Sequence, residues 1–174
     1  MNSSRIRALT IALAVLSIDR LSKVWIETKV SPYETIVVIP DVFNIVSTRN
    51  RGAAFGVLST APDIIRLIVL IGLALIVLAL IGWMLWKATR VDAPGSALNR
   101  LALSLVLGGA VGNLWDRIVQ GSVTDFLQVF IGSYEWPSFN VADSAICIGA
   151  TLMAIDLLMQ SRKQTEPKNV PETN

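Results

Sequence analysis

The sequence predicts an all-α membrane protein: a bundle of four transmembrane helices with a small extracytoplasmic β-sheet or hairpin. Hydrophobic residues make up 53% of the chain and charged residues only 16%, whereas about a quarter of the residues in a soluble domain are charged. The mean hydropathy is +0.59, and the apolar residues collect in blocks long enough to cross a bilayer. One long loop is instead rich in β-branched residues around a turn signal.

Four apolar segments each approach the ~20 residues that cross the hydrocarbon of a bilayer. The clearest is uncharged over residues 67–85. The first segment resembles a signal peptide, but no cleavage site follows it, so we expect an uncleaved helix. In the third segment, Gly108 and Gly112 form a small-xxx-small face that favours close helix packing. The predicted spans are about 6–26, 64–86, 98–115 and 142–160.

The distribution of lysine and arginine predicts the orientation of the chain. The two ends of the predicted bundle carry nearly equal numbers, but one set occupies far shorter segments. Because positive charge concentrates in short cytoplasmic segments, we expect both termini in the cytoplasm. We expect one integral membrane domain over residues 1–160. The polar residues 161–174, with their two prolines, are expected to form a flexible cytoplasmic tail.

The loop between the first two spans predicts a β-hairpin within the region of about 33–55. Residues 35–39 and 42–48 are rich in β-branched side chains, and a Pro40-Asp41 turn separates them. Residues 122–130 have a similar character and predict a further strand. Open strands cannot lie in lipid, so this sheet is expected at or above the outer surface. We expect the link over residues 126–137 to form a lid that closes over a bound substrate.

The absence of histidine limits the chemistry available to this protein. Ser-His and Cys-His nucleophile pairs, imidazole metal sites and H-E-x-x-H motifs are all excluded. A single cysteine, Cys147, cannot form an intrachain disulfide. The net charge of +2 and the lack of a basic tract argue against nucleic-acid binding. We expect no metal and no cofactor.

Asp125 and Asp143 are the candidate catalytic residues. They lie 18 positions apart on different predicted elements, and the link between them is long enough to bring both carboxyls to one water. Two close carboxylates do not readily ionise together, so one acts as a base and the other as an acid. The spacing alone leaves two simpler interpretations open, because Asp143 also suits a helix N-terminus and Asp125 a loop.

Other polar residues lie close to the predicted helix ends. Asp19 and Lys23 are four apart, which favours an ion pair with a structural role. Asp116 and Arg117 end the third span, with Asn113 one turn earlier. They suit either a local ion pair or, for Asn113 and Arg117, contact with a polar substrate. Residues 50–56 are small and glycine-rich, which suits either a turn or a ligand-facing loop.

Taken in order, these motifs resemble the lipoprotein signal peptidases, the type II signal peptidases of bacteria, over nearly the whole chain. The motifs that carry the resemblance are Asp19-x-x-Ser22-Lys23, Asn50-Arg51-Gly52-Ala53-Ala54-Phe55, Gly112-Asn113-x-x-Asp116-Arg117, Gly121-x-Val123-x-Asp125-Phe126 and Phe139-Asn140-x-Ala142-Asp143.

The resemblance implies an aspartic peptidase of the bacterial inner membrane with its site toward the outer face. It implies that the substrates are prolipoproteins carrying diacylglycerol, cleaved before the lipidated cysteine, and that the cyclic peptide globomycin inhibits the enzyme. We expect a monomer in contact with membrane lipid. A small proton-coupled carrier that uses the intramembrane carboxylates is one alternative, and a non-enzymatic membrane assembly factor is another. The implied roles are catalysis by Asp125 and Asp143, substrate binding by Asn50, Asn113, Arg117 and Asn140, and support by Asp19, Lys23 and Asp116.

Overall fold

Four long helices and one small sheet make up the described part of the chain. The computed structural model describes residues 2–32, 34–52, 62–90 and 96–165, without the side chains of residues 163–165. The helices and strands, in order, are α1 (Ser3–Lys29), β1 (Ile36–Ile39), β2 (Phe43–Asn50), α2 (Asp63–Ala88), α3 (Ala97–Gln120), β3 (Val123–Ile131), β4 (Tyr134–Phe139) and α4 (Val141–Thr165).

Three of these helices are long and apolar enough to cross a membrane: α2, α3 and the part of α4 that ends at Arg162. The 27-residue α1 has the necessary length, but Asp19, Arg20 and Lys23 interrupt its apolar sequence. Its crossing of the membrane therefore stays a prediction. Helix α3 extends to Gln120, beyond the predicted end of the third span, and α4 extends into the predicted tail as far as Thr165. The remainder of that tail lies outside the described residues.

The strands form one antiparallel sheet in the order β1-β2-β3-β4. The β1–β2 hairpin confirms the prediction for residues 35–48, and β3 confirms the strand predicted at residues 122–130. Strand β4 was not predicted. Residues 126–137, expected to act as a lid, belong largely to the β3–β4 hairpin, which turns at Gly132 with φ +62°. Glycine adopts such a positive φ readily because it has no Cβ. Closure of this hairpin over the site stays a prediction.

The sheet packs at one end of the bundle, where α1 and α3 end and α2 and α4 begin; we call this the sheet end. There Ile26 and Val30 of α1 form a buried cluster with Phe126 of β3. The opposite end, which we call the terminal end, holds the start of α1. At this end the buried Asp156 accepts hydrogen bonds from Ser96 and Gln160, both at 2.5 Å.

Helix α3 lies at the centre of the bundle because its glycines let two neighbours approach closely. A Cβ at Gly108 would lie 2.5 Å from the carbonyl oxygen of Ala12 in α1. A Cβ at Gly109 would lie 2.5 Å from the carbonyl oxygen of Ala142 in α4. Real Cβ atoms do not come this close to a carbonyl, so these two positions accept only glycine at the present helix separations. The small-residue face predicted in the third span therefore packs helices within one chain.

Replacing Gly109 with alanine should destabilise the bundle. The added methyl group forces α3 and α4 apart, and overpacking of this kind costs about 1–3 kcal/mol. We expect a lower thermal unfolding midpoint in detergent. Gly72→Ala in α2 is the matched control, since nothing lies within 4 Å of its added Cβ and alanine favours helix by up to about 1 kcal/mol. Equal midpoints in the two variants would contradict this account of the packing.

Candidate active site

Every residue to which the resemblance assigns a catalytic, binding or supporting role lies at the sheet end of the bundle, and hydrogen bonds or electrostatic interactions connect them all. Helix α1 contributes Asp19 and Lys23, strand β2 ends at Asn50, and β3 contributes Asp125. The residues contributed by α3 and by the start of α4 are Asn113, Asp116, Arg117, Asn140 and Asp143. Five separate segments therefore meet in one polar cluster, although the roles of these residues in chemistry stay predictions.

Asp125 is nearly inaccessible to solvent, with 3% of its surface exposed. Its Oδ1 accepts a hydrogen bond of 2.7 Å from Asn140 Nδ2, and its Oδ2 accepts one of 3.0 Å from Asn50 Nδ2. The pairing of β2 with β3 sets the second contact, since Thr48 lies opposite Asp125 in the ladder. Side chains alternate along a strand, so Thr48 and Asn50 share the face on which Asp125 lies.

Asp143 lies in the first turn of α4 and is held from two sides. Its Oδ1 accepts a hydrogen bond of 2.7 Å from Asn113 Nδ2, and its Oδ2 accepts one of 3.3 Å from the backbone N–H of Asn140. The backbone N–H of Asp143 in turn donates to Asn140 Oδ1 at 2.9 Å. This reciprocal pair has the form of a capping box. The helix-capping interpretation of Asp143 is therefore correct, and it coexists with placement in the polar cluster.

Asn140 links the two carboxyl groups. It is fully buried, and its Nδ2 bonds Asp125 while its Oδ1 and backbone N–H bond Asp143. One amide residue therefore contacts both acids and fixes their relative position. Asn113 adds a second link, since its Oδ1 lies 3.3 Å from Asn140 Nδ2.

The environment of Asp125 favours its protonated form. Burial, and after it the negative charge of Asp143, raise the pKa of Asp125 to about 6, although the hydrogen bonds from Asn50 and Asn140 act in the opposite direction. An ordinary aspartate has a pKa near 3.8. The carboxyl of Asp125 therefore keeps its proton over a pH range in which a solvated aspartate has lost it. This is the behaviour expected of two acids that share a proton.

Behind the carboxyl pair, Lys23 compensates two buried acids. Lys23, Asp19 and Asp116 are all fully buried. The ammonium of Lys23 lies 2.8 Å from Asp19 Oδ2, 2.7 Å from Asp116 Oδ2 and 3.1 Å from Asn113 Oδ1. The ion pair predicted from the spacing of Asp19 and Lys23 is present. Because Asn113 bonds both Lys23 and Asp143, the supporting charges connect directly to the acids.

Asp19 also ties α1 to α4. Its Oδ1 accepts a hydrogen bond of 3.0 Å from the backbone N–H of Ala142, next to Asp143. A Cβ at Gly112 would lie 2.5 Å from Asp19 Oδ2. The glycine in the third-span motif therefore makes room for this buried carboxylate.

Arg117 brings positive charge to the cluster. It is partly buried, donates to the backbone oxygen of Asn113 at 3.3 Å, and interacts electrostatically with Asp143, Asp125 and Asp116. Among the described residues, no group of three or more His, Cys, Asp or Glu side chains is arranged to hold a metal ion.

Two further side chains contribute to this end of the bundle and were not predicted from the sequence. Arg20 forms an ion pair with Asp116. Glu27 accepts hydrogen bonds from Thr124 at 2.6 Å and from Gln120 at 3.2 Å, and lies 3.4 Å from Arg49. Glu27 lies four residues after Lys23, so helical spacing could have placed both on one face of α1. Its partners come from distant segments, and no local pattern indicated them.

The helices and the polar cluster define an integral membrane protein with a pair of carboxyls at one end of its bundle. The model of the signal peptidase (SPase) II family matches residues 11–159, and the chain belongs to that family of peptidases. The resemblance seen in the sequence motifs is thereby confirmed.

Individual relatives agree with this assignment. The chain is similar to the lipoprotein signal peptidase of Solibacter usitatus, with 43% identity over 94% of this chain and 97% of the relative. It is 40% identical to the lipoprotein signal peptidase of Geobacter metallireducens over 92% of this chain and 96% of the relative. It also resembles a solved bacterial membrane enzyme with a TM-score of 0.81 and 32% identity, covering 94% of each chain.

Replacing Lys23 with methionine should severely destabilise the protein. The change leaves two buried carboxylates without their shared cation, and losing one partner of a buried ion pair costs about 3–5 kcal/mol. We expect a large fall in the thermal unfolding midpoint in detergent and loss of the monodisperse peak in size-exclusion chromatography. Lys29→Met, which removes an exposed lysine from the same helix, should leave both measurements nearly unchanged. A Lys23→Met protein as stable as this control would disprove the compensating role of Lys23.

Proposed function

We propose that this protein is an aspartic endopeptidase that removes the signal peptide from prolipoproteins carrying diacylglycerol, cutting before the lipidated cysteine. Membership in the signal peptidase II family and the names of the relatives support the substrate class. The observation that most directly supports the aspartic mechanism is the position of Asn140, because this residue forms hydrogen bonds with both Asp125 and Asp143. Family membership favours this peptidase over the carrier alternative.

The proposed chemistry needs only one water and one shared proton. Asp143, as the carboxylate, takes a proton from the water while the water oxygen attacks the scissile carbonyl carbon. Asp125, whose raised pKa favours the protonated form, donates its proton to the carbonyl oxygen. The tetrahedral diol then collapses: Asp143 donates the proton it took from the water to the departing amine as the C–N bond breaks. A hydroxyl proton of the diol passes to Asp125 as the carboxylic acid product forms, which restores the starting protonation of the pair.

The amides and Arg117 complete the proposed site. Asn50, Asn113 and Asn140 each bond one or both of the acids, so we assign them first to holding the carboxyls in place. Their remaining hydrogen-bonding capacity, together with the Arg117 guanidinium, is available to the substrate peptide. We propose that globomycin binds here and thereby blocks the carboxyl pair.

We also propose that α1 crosses the membrane as the fourth span. Its charged residues Asp19 and Lys23 are buried in ion pairs within the bundle, so they do not face lipid. The opposite side of α1 exposes large apolar side chains: Leu13, Ile18, Leu21 and Val24. A helix that pairs its charges internally and presents apolar residues outward suits a bilayer.

The proposed orientation follows from the arginine and lysine distribution. Both termini are cytoplasmic, and the sheet end faces the outer side of the bacterial inner membrane. A lipidated substrate then reaches the carboxyl pair sideways while its acyl chains stay in the bilayer. We propose one domain over residues 1–160, a flexible tail over residues 161–174 and a monomeric enzyme.

Asp125→Asn and Asp143→Asn should each abolish cleavage. An amide neither takes nor supplies the proton, and loss of general acid–base catalysis costs about 10²–10⁴-fold in rate. The measurement is the mass shift of a purified diacylglyceryl-modified precursor, with globomycin as an inhibition control. Asp41→Asn is the matched variant, since Asp41 is exposed in the β1–β2 turn and asparagine tolerates its φ of +59°. Cleavage by either of the first two variants at the Asp41→Asn rate would refute the dyad.

The pH dependence of kcat/KM tests the shared proton. Activity should fall as the pH rises through the apparent pKa of the pair, near the value of about 6 for Asp125. Asn50→Ala removes a hydrogen bond that stabilises the carboxylate, so the pKa rises and the alkaline limb moves to higher pH. Asn44→Ala, which removes a side-chain bond to Gln128 instead, should leave the limb in place. A limb that stays fixed or moves downward in Asn50→Ala contradicts the assignment.

A further inference from the structure

A second polar site lies at the sheet end, on the opposite face of β2 from the carboxyl pair. It is a cavity of about 480 Å³ between the end of β2, the first turns of α2 and the turn that joins α3 to β3. Asn50 points to Asp125, and successive side chains of a strand point to opposite faces. Arg49, which lines the cavity, therefore points away from the carboxyl pair. A ligand in this cavity occupies a site separate from the proposed peptidase chemistry.

The lining of this cavity carries a net positive charge. Among the described residues, three arginines line it, Arg49, Arg51 and Arg66, together with one acid, Asp63. Asp63 pairs with Arg66 across one turn of α2, and Glu27 lies 3.4 Å from Arg49, so the three arginines exceed these two acids by one positive charge. Gln120 and Ser122 add neutral hydrogen-bonding groups. Guanidinium groups match the oxygens of a phosphate with paired hydrogen bonds.

Contacts with neighbouring strands and helices hold two of these arginines, Arg49 and Arg66, in place. Arg49 Nη1 donates to Thr124 Oγ1 at 3.0 Å, which holds it against β3. Arg66 has only 4% of its surface exposed, so its guanidinium is buried in the wall of the cavity. Burying a cation is unfavourable unless an anion compensates it. A phosphate bound in the cavity would bring further negative charge to Arg66, which already pairs with Asp63.

The surroundings of the cavity favour a lipid as the carrier of that anion. Directly beside Arg66, α2 exposes the large apolar side chains of Ile64, Ile65 and Ile68. They belong to the helix with the highest mean hydropathy among the candidate spans, 3.2. A headgroup phosphate in the cavity would place its acyl chains along this apolar surface, as basic pockets at membrane depth do with anionic lipids.

We propose that this cavity binds a phosphate group, and that an anionic phospholipid of the surrounding leaflet is its source. The lipid would join β2, α2 and the α3–β3 turn at the membrane surface. The proposal is independent of the peptidase mechanism, because its measurement is lipid retention and requires no substrate turnover.

The test compares lipid retention by native mass spectrometry after the protein is exchanged into micelles doped with phosphatidylglycerol or with phosphatidylcholine. The wild type should retain phosphatidylglycerol in preference. Arg51→Gln, at an exposed position, and Arg49→Gln/Arg51→Gln should each retain less, by about tenfold in the double variant, because charge-assisted hydrogen bonds are lost. Arg90→Gln removes an exposed arginine at the terminal end and should retain lipid like the wild type.

A further binding measurement with inorganic phosphate distinguishes a lipid headgroup from free phosphate as the ligand. Arginine-dependent binding of inorganic phosphate at millimolar concentration, with displacement of the lipid, would support the phosphate site but assign its ligand to solution. Equal retention of the two lipids by the wild type, without phosphate binding, would overturn the proposal. Retention of phosphatidylglycerol by Arg49→Gln/Arg51→Gln at the Arg90→Gln level would also overturn it, provided that the variants elute as monodisperse protein.

Discussion

The arrangement of the sheet end depends on one buried cation. The ammonium of Lys23 in α1 contacts Asp19 on its own helix and Asp116 and Asn113 on α3. Asp19 extends the same network to the backbone of α4 at Ala142. Three helices are therefore joined by one compensated charge cluster, which includes no water-exposed group among these side chains apart from the slightly accessible Asn113. Inside a low-dielectric bundle such a cluster tolerates little displacement, because an uncompensated charge there is costly.

That rigidity extends to the carboxyl pair through amides. Asn113 connects Lys23 to Asp143, and Asn140 connects Asp143 to Asp125. The chain of contacts sets the position of each acid by a hydrogen-bonded neighbour rather than by packing alone. Fixed polar groups around reacting atoms lower the reorganisation that a reaction requires. The raised pKa of Asp125 is a consequence of the same arrangement, because burial and the nearby negative charge outweigh the hydrogen bonds from the amides.

Much of this structure could be predicted from sequence patterns, for identifiable reasons. Apolar segments of about the length that crosses a bilayer predict α2 and α4, and the β-branched segments around Asp41 predict the first hairpin. The i, i+4 spacing predicts the pair formed by Asp19 and Lys23. Strand β4 was missed because it is short and because Pro137 and Ser138 interrupt the alternation that begins at Tyr134. Its pairing with β3 is set by tertiary context, which strand propensity reflects only weakly.

The contacts that join distant segments could not be predicted locally. Arg20 pairs with Asp116 and Glu27 with Thr124 across more than ninety positions of sequence. The two proposed catalytic acids likewise come from a strand and from the last helix. On the proposed mechanism, a chain in which α4 has not yet packed against the bundle holds Asp125 without its partner acid and cannot cut a substrate. Docking of the last helix would then be the step that switches the catalytic pair on.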